Sequence, residues 1–149
     1  MNFDYPAAVH FRCIKCGICC GDTREKNRHI LLLETEAEQI AKATGRKISK
    51  FAAKTEGKAP YSHEMKKREN GKCVFLENDR CTIYFLRPLI CRFYPFEMNF
   101  MINRRYVFLY TDECPGIGKG RVRSEGYFKK MFQLACNKLW QVSGSNGKS

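Results

Sequence analysis

Apolar residues recur at helical spacing most clearly from Glu125 to Val142, where Phe128, Met131, Phe132, Ala135, Leu139 and Trp140 fall on one stripe and Lys129, Lys130 and Lys138 fall elsewhere. This predicts a helix that covers a sheet. A second helix, of about ten residues, is expected after Thr35, read as its N-cap, with Glu38 completing a capping box, Ala37, Ile40 and Ala41 on the apolar face and Gly45 at the end. Ile48, Phe51 and Ala52 predict a further helical turn, and Gly57 and Pro60 mark a loop. The runs His29 to Leu33 and Arg104 to Thr111 read as strands, the second leading to Cys114 in a loop and a glycine-rich turn ending at Gly120.

Asn70-Gly71 predicts a hairpin between Tyr61 to Lys67 and Cys73 to Leu76, and a turn at Asn78-Asp79 adds Cys81 to Tyr84 as the third strand of a meander. Parity then matters, because pairing Phe75 with Cys81 puts Cys73 and Cys81 on one face, whereas pairing Leu76 with Cys81 separates them. A metal site shared by the two is expected to use the first register. The pattern as a whole predicts an α+β fold: a small single domain with a short antiparallel sheet, peripheral helices and cysteine-rich metal-binding loops. The domain is expected over residues 1–142, followed by a small, polar, flexible tail over 143–149.

A length of 149 residues suits one domain, and a hydrophobic content of 44% excludes general disorder. No apolar run approaches the roughly 18 residues needed to span a bilayer, since the candidate around Ile83 to Ile90 is broken by Arg87 and Pro88. The start, Met1-Asn2-Phe3-Asp4-Tyr5-Pro6, does not have the form of a secretory signal. A cytoplasmic location is therefore expected, where thiols stay reduced and available to metal.

Nine cysteines are then the main chemical signal. Eight of them, Cys13-x-x-Cys16-x-x-Cys19-Cys20 followed by Cys73, Cys81, Cys91 and Cys114, lie in predicted loops and hairpin ends. Closely spaced thiolates let one turn present several sulfurs to one centre, and four complete a zinc site or the ligation of an iron–sulfur cluster. Gly17 and Gly21 supply the backbone freedom of such a loop. Cys13, Cys16 and Cys19 have the spacing of the first three ferredoxin ligands, which Cys114-Pro115 could complete as a [4Fe-4S] site. Cys20, Cys73, Cys81 and Cys91 would form the second set, because the side chains of the adjacent Cys19 and Cys20 are expected to diverge. Cys136 lies on the last helix and is assigned to core packing. Of the scattered histidines His10, His29 and His63, only His10 lies near the first cluster as a substitute ligand.

The ordered series Cys13-x-x-Cys16-x-x-Cys19-Cys20, Gly71-x-Cys73-Val74-Phe75-Leu76, Cys81-x-Ile83-Tyr84, Arg87-Pro88, Cys91-Arg92-x-Tyr94-Pro95-Phe96 and Cys114-Pro115-Gly116 resembles the YkgJ-type cysteine-cluster family, the CxxCxxCC zinc- or iron-chelating domain. The resemblance runs from Cys13 to Gly116. It implies a metal-binding protein carrying zinc or iron, with the iron–sulfur form suggested by the family's presence in flagellin lysine methylases. A redox or protein lysine-methylation component, acting with another protein partner, is the alternative that the resemblance opens. The chain shows no methyl-donor fold and no defensible hydrolase constellation, so no catalytic residue is assigned.

The net charge of +12 bears on partners. Arg12, Lys15, Arg87 and Arg92 adjoin ligand positions and can donate charge-assisted hydrogen bonds to sulfur, which makes Arg87 and Arg92 candidate cofactor-binding residues. Arg104, Arg105, Lys119, Arg121, Arg123, Lys129 and Lys130 are candidate phosphate contacts, so a basic, zinc-stabilised nucleic-acid-binding module is a further alternative. No recognition helix or RNA-binding aromatic signature accompanies them. Gly116-Ile117-Gly118-Lys119-Gly120 lacks the spacing of a phosphate-binding loop and reads as a turn. Tyr84 and Tyr94 are expected to pack around the centres.

Overall fold

The computed structural model describes residues 3–24, 26–101 and 103–147, with side chains in the last helix described through Leu139. In chain order the elements are β1 (Phe3–Asp4), β2 (His10–Phe11), β3 (Leu31–Leu32), α1 (Glu34–Thr44), α2 (Ile48–Phe51), β4 (Ala52–Lys54), β5 (His63–Met65), β6 (Leu76–Glu77), β7 (Arg80–Cys81), α3 (Leu89–Phe93), β8 (Phe96–Phe100), β9 (Tyr106–Tyr110), β10 (Ile117–Val122) and α4 (Glu125–Gly147). The fold is α+β with short antiparallel sheets, as the sequence pattern predicts. Within it the chain forms two compact units, residues 15–92 and residues 1–14 with 93–149.

In the unit of residues 1–14 and 93–149, β8 and β9 form an antiparallel hairpin with Phe96 opposite Tyr110, and β1 adds to β9 in parallel, a pairing the alternation pattern did not suggest. The predicted stripe of α4 packs on this sheet: Phe128 meets Tyr5, Phe96 and Phe108 at ring separations of 5.0–5.3 Å, and Phe132 stacks on Phe3 at 5.1 Å. Cys136 is buried on the same helix, in the packing position expected of it. The helix continues to Gly147, past the Val142 at which its apolar periodicity ends. The side chain of Trp140, placed on the stripe from sequence, lies outside the described residues, as do Lys148 and Ser149 of the expected tail. The glycine-rich stretch after Gly116 is a strand rather than a turn: β10 pairs with β2 across a bulge between Ile117 and Val122. Left-handed Gly118 and Gly120 lie in that bulge, and only glycine makes such a backbone cheap.

In the unit of residues 15–92, β5 lies between β3 and β4, so the expected meander is replaced by a sheet of order β3-β5-β4. Asn70-Gly71 does reverse the chain, but the reversal carries a single bridge between Lys67 and Cys73 rather than a strand pair. Helix α1 starts one residue before Thr35: Leu33 is the N-cap, and Glu36 rather than Glu38 reaches back, accepting the Leu33 N–H at 3.0 Å. Gly45 closes α1 as predicted, and Ala52 leaves α2 to begin β4. The core gathers Ile30, Leu32, Ile40, Phe51, Met65 and Phe75 with several cysteines.

Phe128 is wholly buried among aromatic rings. Replacing it with alanine is expected to cost about 3–5 kcal/mol of stability in urea unfolding of the full chain. A loss under about 1 kcal/mol would mean the α4 stripe is not a core.

Candidate metal centre

The cysteine loop is shaped by two glycines. Gly17, at φ 79, starts a single 3-10 turn, Ile18–Cys20, and closes it through its carbonyl, which accepts the Cys20 N–H at 3.0 Å. Gly21 is needed for a different reason: a Cβ there would overlap the Gly71 carbonyl and the Lys72 backbone. That close approach lets the Asp22 N–H reach Gly71 O at 3.0 Å and the Cys73 N–H reach Cys20 O. The Asp22 carboxylate pins the same junction, accepting from Lys67 Nζ at 2.7 Å and from the Arg28 N–H at 2.6 Å. Backbone pairing thus brings Cys20 and Cys73, far apart in sequence, side by side.

Cys81 arrives through a register that the parity argument rejected. Leu76 pairs with Cys81 and Glu77 with Arg80 around a tight two-residue turn, in which Asn78 and Asp79 are both left-handed. Alternation does not carry from Leu76 back to Cys73, because the chain turns between them, with the Leu76 N–H on Cys73 O at 3.0 Å. The expected coupling of Phe75–Cys81 pairing to a shared face is therefore corrected. Cys91 sits on α3, buried in the same core.

Five of the eight predicted ligands thus come to one region of the 15–92 unit: Cys20, Cys73 and Cys91 are buried in its core, and Cys19 and Cys81 pack against it. The Cys19 and Cys20 sulfurs lie 3.9 Å apart, so these neighbours do not diverge as the sequence reading expected. That separation is close to the roughly 3.8 Å edge of a tetrahedron with zinc–sulfur bonds of about 2.3 Å. Among the described residues no group of three His, Cys, Asp or Glu side chains is disposed to hold one ion, so ligation requires thiol side chains to turn toward a common point. Cys16 is exposed in this unit; Cys13, exposed, and Cys114, buried, belong to the other. There the Arg12 N–H donates to Gly116 O at 3.2 Å, running the Cys13 and Cys114 stretches alongside each other. His10 holds Gly120 O at 2.9 Å through its ring nitrogen.

The thiols share protons unequally. Cys20 keeps its proton, its pKa raised by hydrogen bonds to Cys19 and Cys81 and by burial. Receiving that hydrogen bond, with Arg28 and Arg87 nearby, brings Cys19 down to about 6. The same donor brings Cys81 down to about 7, helped by the Ile83 N–H and Arg87. Burial pushes Cys73 and Cys91 up. Arg87 is held for this role by its own turn, its guanidinium 3.9 Å from the Tyr84 ring centre and its Nε donating to Tyr84 O at 3.0 Å. Arg92 is placed differently from the expected sulfur contact: it donates to the carbonyls of Arg87 and Phe85 at 3.0 and 3.1 Å, bracing the turn before Cys91. Arg28, whose Nε donates to Cys19 O at 3.2 Å, carries no motif signal and was not anticipated.

Residues 12–115 match the family CxxCxxCC, described as a "putative zinc- or iron-chelating domain". The chain is also similar to an uncharacterized protein of Methanocaldococcus jannaschii, MJ0661, with 29% identity over 150 residues covering 87% of this chain and 71% of that protein. No solved structure matches the chain. No helix among the described residues is long and apolar enough to cross a membrane.

The lowered pKa values predict a pH order of reaction in metal-free protein, because only the thiolate is alkylated. Between about pH 6 and pH 7, iodoacetamide should label Cys19 and then Cys81, with Cys73 and Cys91 reacting only at higher pH. Mass-spectrometric mapping of the labelled peptides reads that order; labelling of these four together near pH 9 would contradict it.

Proposed function

Because the chain belongs to the CxxCxxCC family, we propose that it is a cytoplasmic protein that binds zinc or iron through its cysteine thiolates, with Cys13, Cys16, Cys19, Cys20, Cys73, Cys81, Cys91 and Cys114 as the donor set. The observation that carries this reading is the gathering of Cys19, Cys20, Cys73, Cys81 and Cys91 from separate stretches of the chain into one core. Sulfur-rich ligation suits zinc and iron–sulfur centres and not the oxygen-loving magnesium or calcium. When bound, the metal supplies positive charge that lets several thiolates coexist in a buried place, and its binding releases the protons that Cys20 and its neighbours hold.

The contact between Cys19 and Cys20 favours one centre drawing on both over the division into a ferredoxin-like set of Cys13, Cys16, Cys19 and Cys114 and a second set of the rest. Cys13, Cys16 and Cys114 are the remaining candidate donors, and a [4Fe-4S] cluster is the iron form of the proposal. The metal is the partner this reading requires. The roles of Arg28 and Arg87 are to offset thiolate charge and fix the turns that carry the ligands.

Anaerobic purification without chelator should yield protein containing zinc or iron, the latter with labile sulfide if a cluster is present. Stripping the metal should lower stability strongly, since structural zinc contributes on the order of 10–16 kcal/mol in finger peptides. Cys81→Ser and Cys91→Ser should each lower metal content in elemental analysis, while Cys136→Ser leaves it unchanged. Folded protein that holds neither metal, with every thiol titrating freely, would overturn the proposal.

A further inference from the structure

We propose that Glu36 is a positioning residue of the cysteine centre, which sets the place of Cys91 from the opposite side of the core. Glu36 lies in the first turn of α1 and is only 3% exposed, although no cysteine precedes or follows it closely in sequence. One carboxylate oxygen, Oε1, accepts the Leu33 N–H at 3.0 Å and so caps its own helix. The other, Oε2, accepts the Leu89 N–H at 2.6 Å, across 53 positions of sequence. Leu89 is the first residue of α3, the five-residue helix that carries Cys91 two positions later.

A buried carboxylate is costly to keep unless its oxygens are satisfied, and the short second bond shows where that satisfaction is spent. Capping α1 alone would need one oxygen. The second oxygen instead ties the start of α3 to α1, while Arg92, at the far side of Cys91, ties the helix to the Phe85 and Arg87 carbonyls. A five-residue helix has little stability of its own. Its placement therefore depends on these two ties, and Cys91 lies between them. Glu38, exposed on α1, does not take the capping role its spacing suggested, because Leu33 is the N-cap of the helix and Glu36 is its third residue.

Insofar as Cys91 is a ligand, this inference rests on the metal-binding reading, but the position of the thiol can be measured without metal. Glu36→Gln keeps the shape and offers one acceptor oxygen, so its amide N–H group must face either the Leu33 or the Leu89 N–H. In metal-free protein the alkylation rate of Cys91 should rise at least tenfold, with Cys136 as the internal reference. Co(II), used as the probe, should bind at least tenfold more weakly, with a changed thiolate-to-cobalt absorption band. Lys42→Gly, on an exposed site of α1, serves as the control that weakens the same helix without touching Glu36.

An unchanged Cys91 rate in Glu36→Gln, or an equal rise in Lys42→Gly, would overturn the positioning role. Should Glu36→Gln fail to fold by circular dichroism, Glu36→Asp, too short to reach both N–H groups, is read in the same way. Wild-type protein that binds no Co(II) would count against the metal reading, and the alkylation rates would still decide the role of Glu36.

Discussion

Five cysteine sulfurs crowded into one protein core cannot all be anions at neutral pH, because neighbouring thiolates repel one another and burial penalises each charge. The rest of the 15–92 unit answers that constraint. Cys20 holds a proton between Cys19 and Cys81, Arg28 and Arg87 lend positive charge, and Cys73 and Cys91 are buried where the neutral thiol is favoured. A bound cation does the same work more completely, since it removes protons and repulsion together. In the metal-free chain the charge balance of this core thus rests on protons and guanidinium groups.

The means of bringing the sulfurs together are mostly backbone ones. Long side chains could not collect ligands from four stretches of sequence without a large entropy cost, whereas each cysteine here is delivered by a turn or a short element. Gly21 allows two chain segments to touch, the Asn78-Asp79 turn delivers Cys81, and Glu36 with Arg92 fixes α3. Strands of two or three residues would be marginal if pairing alone held them. They persist because turns, carboxylates and guanidinium groups tie down nearly every segment that bears sulfur.

How far the sequence could be read follows from the range of each signal. The α4 stripe, the β9 run and the Gly45 stop depend on neighbours within a few residues, and all three appear where the pattern puts them. The run of four cysteines in eight positions is a local signal, but only Cys19 and Cys20 of that run come to the core, where Cys73, Cys81 and Cys91 reach them from distant stretches. What was hidden is long-range. Glu36 takes the capping position because Leu33 is the N-cap of the helix, its other oxygen meets an N–H 53 residues away, and Arg28 faces the thiols only after the chain has folded over Asp22. The meander failed for a local reason that alternation does not see: a turn between Cys73 and Leu76 resets the parity. Parity arguments hold within a strand and lapse at its ends.

The two units also differ in what supports them. Residues 1–14 and 93–149 pack Phe3, Phe96, Phe108, Phe128 and Phe132 against one sheet, a conventional apolar core in which Cys136 is a filler. In residues 15–92 cysteines occupy core positions that would otherwise hold aliphatic side chains, and the strands around them are shorter. Replacing aliphatic volume by thiols forfeits burial energy, because sulfur on a single methylene fills less space than leucine or isoleucine. The 15–92 unit accepts that loss at more positions than the other, where Cys114 and Cys136 are the buried thiols among the described residues, and metal–sulfur bonds are of a strength that would offset it.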